Sequence, residues 1–172
     1  MGKTDNIKRA KKLKEAKRNR ERAELISLGH GPAGKALMKR HVNEGATLWQ
    51  SDSGIKYSEL LYQFIATILG EDDEMAILKM KFTLGIFTWN AGILKDKNEE
   101  GYLKIKQMAY EIFGDEEDVK KFFDEMVLHK QNEFSEYGDL ISDFEIKKIK
   151  GYEFDLSVAI LPYNDNFNGI MN

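Results

Sequence analysis

The spacing of apolar side chains changes once along the chain. From Lys56 to Tyr137 they recur every three to four residues, as on one face of a helix. This spacing predicts four helices, over about 56–69, 73–95, 99–113 and 115–135. From Tyr152 onward apolar and polar residues alternate, and a shorter alternation precedes it around Phe144 and Ile146. Alternation is typical of strands, so we predict a β-hairpin that turns near Lys150-Gly151.

The helix predicted over 73–95 is apolar on almost every side, which is typical of a helix in the middle of a core. Asn90 lies in it beside Trp89. Because an unpaired buried amide costs about 1–3 kcal/mol, we expect Asn90 to hydrogen-bond a neighbouring helix end or the hairpin. A ligand contact is the alternative. The two later helices are expected to bury Leu103, Ile105, Met108, Ala109, Ile112, Val119, Phe122, Phe123, Met126 and Val127.

The N-terminal segment follows a different pattern. Residues 5 to about 28 contain no Gly or Pro and consist largely of helix-forming residues, but their apolar stripe is thin. A helix with so little to bury is expected to be exposed, or only marginally stable by itself. The glycine-rich run from Gly29 to Gly34 ends it, and Pro32 begins a short basic helix that stops near Gly45.

These patterns predict an α+β fold that is mostly α. Residues 1–44 form a basic helical arm with its connector, and residues 45–161 form an acidic α+β body. The body contains a core of about four helices. A two-stranded hairpin is marginal by itself, so we expect it to pack on those helices. Residues 162–172 are expected to form a flexible tail.

The net charge of −3 conceals a strong asymmetry between the arm and the rest of the chain. Residues 1–44 hold 13 Lys and Arg against 5 Asp and Glu, a net charge of +8, and residues 45–172 carry −11. Such asymmetry indicates an interaction arm. The absence of cysteine fits a reducing compartment, and the longest apolar stretch is too short for a membrane span of about 20 residues. We therefore expect a cytoplasmic protein that makes no contact with membranes.

One run of residues matches a phosphate-binding motif in spacing only. Gly29 to Lys35 satisfies GxxxxGK, the loop whose backbone amides hold phosphates and whose lysine reaches the terminal ones. That loop needs a Mg²⁺-binding hydroxyl at the next position, which is Ala36 here, and a buried strand before it. Because a charged helix precedes it instead, we interpret the run as a helix–loop–helix connector.

No group of residues predicts catalysis, a cofactor or a metal site. His30, His41 and His129 share no metal-ligand spacing, and His129 is expected to face solvent. The acidic clusters at 71–74 and 115–118 lie where helices begin, so they are expected to cap free amides and oppose the helix dipole. We expect a protein that is not an enzyme.

Basic side chains are concentrated in the arm, with ten between Lys3 and Arg22. Acidic residues there are too few to pair with them, and a polyanion would relieve their repulsion while releasing its own counterions. No aromatic residue precedes Trp49, so the arm offers no stacking for single-stranded bases. The expected nucleic-acid contacts are therefore electrostatic, through Lys8, Arg9, Lys11, Lys12, Lys14, Lys17, Arg18, Arg20, Arg22, Lys35, Lys39 and Arg40.

Four short motifs lie between residues 55 and 161. They are Tyr57-Ser58-Glu59-Leu60-Leu61, Trp89-Asn90, His129-Lys130 with Phe134, and the alternating strand that ends in Val158-Ala159. Together they resemble a group of small uncharacterised bacterial proteins. The resemblance implies no activity and no functional residue.

We therefore expect a non-enzymatic accessory protein whose basic arm binds nucleic acid or a ribonucleoprotein. The alternative is a protein–protein adaptor or regulator, in which the arm docks on an acidic protein partner or on the acidic body of a second copy. The dependence of binding on salt concentration distinguishes an electrostatic contact from an apolar one. Polyanion binding weakens steeply as salt rises, whereas an apolar adaptor surface tolerates it.

Overall fold

The structure, a computed structural model, describes residues 31–44, 56–70, 73–148 and 154–163. Its helices are α1 (Gly31–Glu44), α2 (Tyr57–Ile65), α3 (Met75–Leu94), α4 (Glu99–Phe113) and α5 (Glu117–Glu133), and its strands are β1 (Leu140–Lys148) and β2 (Phe154–Leu161). The two strands pair as an antiparallel hairpin. The predicted α+β fold, mostly helical with a C-terminal hairpin, is confirmed.

The described residues fall into two compact units. One contains α1 with residues 145–148 and 154–157, and the other contains α2 to α5 with residues 140–144 and 158–163. The helix predicted over residues 5–28 lies outside the described residues, and so does most of the predicted tail. In the part of the chain that the structure describes, no helix is long and apolar enough to cross a bilayer.

Helix α3 is the central element of the larger unit and packs against α2, α4 and α5. Every residue from Thr88 to Leu94 is buried, whereas the first half of the helix exposes Ile77 and Met80. The expectation of burial on all sides is therefore correct only for the second half. Around the first half, burial is confined to the face that carries Leu78 and Phe82.

Glycine at position 92 lets α3 and α5 approach closely. A Cβ atom added there would lie 2.6 Å from Cγ of Lys130 and 2.8 Å from its Cβ. Any larger residue would have to displace the lysine stem, and real Cβ atoms do not approach other atoms so closely. The packing of these two helices therefore depends on Gly92, and it places Lys130 inside the unit.

Several local expectations are wrong. Leu103 and Ile112 are 54% and 58% exposed, because only the face of α4 that carries Ile105 and Ala109 is covered. Helix α2 ends at Ile65 and continues as a 3₁₀ turn over Ala66–Ile68, short of the predicted end.

The acidic residues at the helix starts meet only part of the expectation. Glu116 is the N-cap of α5 and its side chain makes no capping hydrogen bond, but Glu117 and Asp118 lie in the first turn, where carboxylates oppose the helix dipole. Asp73 accepts hydrogen bonds from the Gly70 amide at 2.7 Å and from Lys81 Nζ at 2.7 Å. It therefore stabilises the turn before α3 and does not cap the helix.

The hairpin is confirmed as an element, but its burial does not alternate as predicted. Strand β1 buries Leu140, Ile141, Glu145 and Ile146, in adjacent pairs, and every residue of β2 is half-buried. The charged residue in the second pair, Glu145, is buried because cations pair with it.

Candidate nucleic-acid interface and a buried lysine

Helix α1 carries the three predicted contact residues that the structure describes. Its apolar face holds Ala33 and Leu37, which are 0% and 5% exposed. Lys35 and Lys39 are one helical turn apart on the opposite, exposed face. Within the described residues neither of these two lysines forms an ion pair. The helix therefore presents two adjacent ammonium groups to solvent.

Arg40 lies on the flank of α1 and forms an ion pair with Glu145 of β1. Lys147 approaches the same carboxylate, with Nζ at 3.4 Å from Oε1. Burial opposes ionisation of Glu145, but the hydrogen bonds from Arg40 and Lys147 outweigh it and hold the pKa of this carboxyl below its ordinary value. Glu145 is therefore a carboxylate at neutral pH, and Arg40 is already engaged by an anion of its own chain.

A second carboxylate contacts the beginning of α1. The backbone amide of Ala33 donates to Asp155 Oδ2 at 2.7 Å. Amides in the first turn of a helix have no partner within the helix, and the helix dipole favours an anion there. Asp155 of β2 thus occupies the position that a phosphate would take in a phosphate-binding loop.

This contact adds a reason why the GxxxxGK run should not bind nucleotides. We expect no saturable binding of ATP or GTP by the intact protein. The motif lacks the hydroxyl that would bind Mg²⁺, and the Ala33 amide already donates its hydrogen bond to Asp155. Isothermal titration calorimetry with Mg²⁺ present checks this expectation. Saturable binding that Lys35→Ala abolishes would contradict it.

The remaining predicted contact residues, Lys8, Arg9, Lys11, Lys12, Lys14, Lys17, Arg18, Arg20 and Arg22, lie outside the described residues. Sequence reasoning missed the two carboxylates that engage α1. Their positions in the chain carry no signal of that pairing, since Glu145 and Asp155 occur in strand patterns in which polar residues are expected to face solvent.

The larger unit contains a buried lysine that sequence reasoning also missed. Lys130 on α5 is only 2% exposed, and its ammonium lies 4.4 Å from the centroid of the Trp89 ring. Nζ donates to the carbonyl oxygens of Phe134 at 2.7 Å and Tyr137 at 2.9 Å. Lysine near a helix C-terminus stabilises the carbonyls that the helix leaves unpaired. Here it also fixes the turn that leads from α5 into β1.

Three other side chains bind the same connection. Trp89 Nε1 donates to the Asp139 carbonyl at 3.1 Å, and the Tyr57 hydroxyl donates to Asp139 Oδ2 at 2.8 Å. The Asn90 side chain donates to the Ile141 carbonyl and accepts from the Ile141 amide, both at 2.8 Å. Of the two partners predicted for Asn90, a helix end or the hairpin, the structure shows the hairpin. These contacts attach the start of β1 to α3.

Burial lowers the pKa of Lys130 from 10.5 to about 8, and the nearby Lys97 ammonium acts in the same direction. The neutral amine keeps two N–H groups, enough to donate to both carbonyls. Between pH 8 and 10.5 the unfolded chain therefore holds a proton that the folded protein has released. Because stability rises with pH wherever the unfolded state binds more protons, Lys130 makes the folded state more stable as pH increases through this window.

We expect the free energy of unfolding of the wild type to rise between pH 7 and pH 9.5 relative to that of Lys130→Met. Urea denaturation of both proteins at the two pH values measures this difference. Both measurements stay below pH 10, because burial raises the pKa of the Tyr57 hydroxyl in the folded protein. Above pH 10 this hydroxyl ionises in the unfolded chain before it does in the folded protein, which lowers the free energy of unfolding. Identical changes in the two proteins would show that Lys130 keeps its proton.

The structure brings Trp89, His129 and Phe134, which belong to the four short motifs, into one cluster of aromatic rings in the larger unit. Phe64 of α2 lies 5.4 Å from Trp89, and His129 stacks on Phe64 at 5.5 Å between ring centroids. His129 is half-buried, so the expectation that it faces solvent is wrong. Phe134 contacts both Trp89 and His129. These residues form the core, and their contacts give them a structural role.

A shallow groove of about 490 Å³ lies along α4 and α5. It is lined by Lys95, Tyr102, Lys106, Lys121, Asp124, Glu125 and Leu128. The Lys106 ammonium lies 5.7–5.9 Å from the ring centroids of Tyr102, Tyr110 and Phe123 and donates to Asp124 Oδ1 at 2.7 Å. The Lys106 ammonium of the protein itself is therefore already in contact with the aromatic rings beside this groove.

Comparison of the chain with protein-family models, curated proteins and solved structures finds no match. Within the described ranges, no three His, Asp or Glu side chains are grouped so that they could hold a metal ion. The charge distribution and the contacts of α1 are therefore the features of this chain that indicate a function.

Proposed function

We propose that this protein is a cytoplasmic, non-enzymatic accessory protein that binds nucleic acid, alone or in a ribonucleoprotein, through its basic N-terminal residues. The observation that carries the proposal is the charge of +8 on residues 1–44, against −11 on the rest of the chain. A cationic segment of this density binds phosphate backbones by displacing their condensed counterions.

Helix α1 forms the C-terminal part of residues 1–44, and its contacts support the proposal. Lys35 and Lys39 project from the face opposite the buried Ala33 and Leu37, so they can approach a phosphate backbone without disturbing the packing of the helix. Lysine ammonium groups at this spacing act as point charges, which position a protein on a duplex without reading bases. We therefore propose binding with little sequence preference.

Replacing Lys35 and Lys39 together with glutamine tests the part of the interface that the structure describes. We expect weaker binding to duplex DNA of any sequence and a reduction of about 1.8 in the slope of log affinity against log salt, at about 0.9 per phosphate contact. Fluorescence anisotropy with two labelled duplexes of unrelated sequence measures both quantities.

The matched control is Lys79→Gln with Lys104→Gln, which removes the same charge from exposed positions on α3 and α4. We expect this control to keep the wild-type slope. If the two double variants weaken binding equally, net charge and not α1 determines affinity, and the proposed site on α1 is wrong.

A protein–protein adaptor is the second candidate function. The observation that favours it is the exposure of large apolar side chains on α4 and α5, with Leu103, Ile112 and Leu128 each more than half exposed. Binding to a protein partner through these side chains would persist at high salt. Salt-resistant capture of a protein, lost when Leu128 is replaced by Ser, would favour this function over the first.

A further inference from the structure

We infer that the carboxylates of Glu145 and Asp155 compete with nucleic-acid phosphates for helix α1, so that the hairpin restrains binding by its own chain. The inference rests on the proposed function and concerns how that function is regulated. It follows from the two contacts that join α1 to residues of the same compact unit.

Each carboxylate binds a donor group of α1 to which phosphates also bind. The guanidinium of Arg40 pairs with Glu145, and guanidinium groups bind carboxylate and phosphate with the same geometry. The Ala33 amide donates to Asp155 at 2.7 Å, and amides at helix N-termini are common phosphate donors. A phosphate that used either group would have to replace the carboxylate.

The cations of α1 are therefore not equivalent. Lys35 and Lys39 are exposed and have no ion-pair partner among the described residues, so they meet a phosphate without breaking a contact. The side chain of Arg40 is 42% exposed, so a phosphate can reach it and compete with Glu145 for it. In the wild type, whatever Arg40 gains from a phosphate is offset by the loss of its pair with Glu145.

Replacing each carboxylate by the corresponding amide removes the negative charge and keeps the shape of the side chain. In Glu145→Gln and Asp155→Asn the side chain keeps an oxygen that accepts from Arg40 or from the Ala33 amide, so the hairpin contacts persist without the negative charge. We expect the double variant to bind duplex DNA about fivefold more tightly than the wild type at low salt. The matched control, Glu99→Gln with Glu100→Gln on α4, removes the same charge and is expected to change affinity less than twofold.

Arg40→Gln distinguishes competition from general repulsion of the DNA. If Glu145 competes for Arg40, this substitution weakens binding less than twofold in the wild type but about fivefold in the Glu145→Gln, Asp155→Asn background. Equal effects in the two backgrounds would overturn the inference. Thermal unfolding of each variant identifies any that has lost its fold.

The outcomes also separate this inference from the proposed function. Binding by the wild type that Glu145→Gln with Asp155→Asn leaves unchanged overturns the competition and leaves the proposed function standing. Absence of DNA and RNA binding by every variant at low salt overturns both.

Discussion

Replacing Trp89 with alanine is expected to lower the free energy of unfolding by about 3–5 kcal/mol, the usual loss when a large buried aromatic side chain is truncated. The indole is 0% exposed, and its ring contacts those of Phe64 and Phe134 at centroid distances of 5.4 and 5.8 Å. The substitution leaves a cavity among these rings. It also removes the ring beneath the Lys130 ammonium and the hydrogen bond to the Asp139 carbonyl.

Urea denaturation followed by circular dichroism measures the loss. Leu103→Ala is the matched control, because Leu103 is also a large apolar residue of a helix but is 54% exposed. We expect the control to change stability by less than about 0.5 kcal/mol. A loss under about 1 kcal/mol for Trp89→Ala would mean that the ring does not hold α2, α3 and α5 together.

The larger unit shows how far apolar spacing determines a helical core. The spacing predicted the described helices of this unit to within a few residues, but it predicted burial on all sides for the whole of α3, and only the second half is buried in that way. It failed for Leu103 and Ile112, which have helical spacing but lie beyond the covered face of α4. Which part of an apolar face is covered depends on neighbours that local spacing does not specify.

Lys130 could not be recognised from the sequence for a related reason. A lysine in the last turn of an amphipathic helix is usually exposed. Its burial depends on the space above Gly92 and on the Phe134 and Tyr137 carbonyls, which only the tertiary structure brings within reach. Asn90 was predictable because a buried amide must find partners, although Ile141 could not be named as the partner.

The candidate site, too, could be predicted from the sequence only in part. Charge asymmetry is visible in the sequence, so Lys35 and Lys39 were predicted as contact residues and are exposed on α1. Arg40 was predicted on the same basis, yet it is paired with Glu145. That pairing depends on the position of α1 against the hairpin residues, which no local pattern encodes.

Binding to duplex DNA is expected to weaken by several orders of magnitude as salt rises. A protein that makes about 6–10 phosphate contacts loses roughly 10³–10⁵ in affinity between 50 and 200 mM salt. The 13 Lys and Arg of residues 1–44 are enough for contacts in this range. Because base stacking is not available before Trp49, the loss should be the same for unrelated sequences.

Neutralising part of the arm should reduce this dependence in proportion. Replacing Lys11, Lys12, Arg18 and Arg20 with glutamine removes up to four phosphate contacts, so we expect the slope of log affinity against log salt to fall by about 3 to 4. The isolated peptide of residues 1–44 is the useful comparison, since it lacks the acidic body. It should bind more tightly than the intact protein at low salt and keep a steep slope.

The most direct measurement is the affinity of the intact protein for a labelled duplex and for a structured RNA, determined by fluorescence anisotropy from 50 to 300 mM salt. The wild type is expected to bind at low salt with a steep negative slope, and the variant with Lys11, Lys12, Arg18 and Arg20 replaced by glutamine should bind weakly with a shallow one. If neither the intact protein nor the peptide of residues 1–44 binds either nucleic acid at 50 mM salt, the proposed function is wrong.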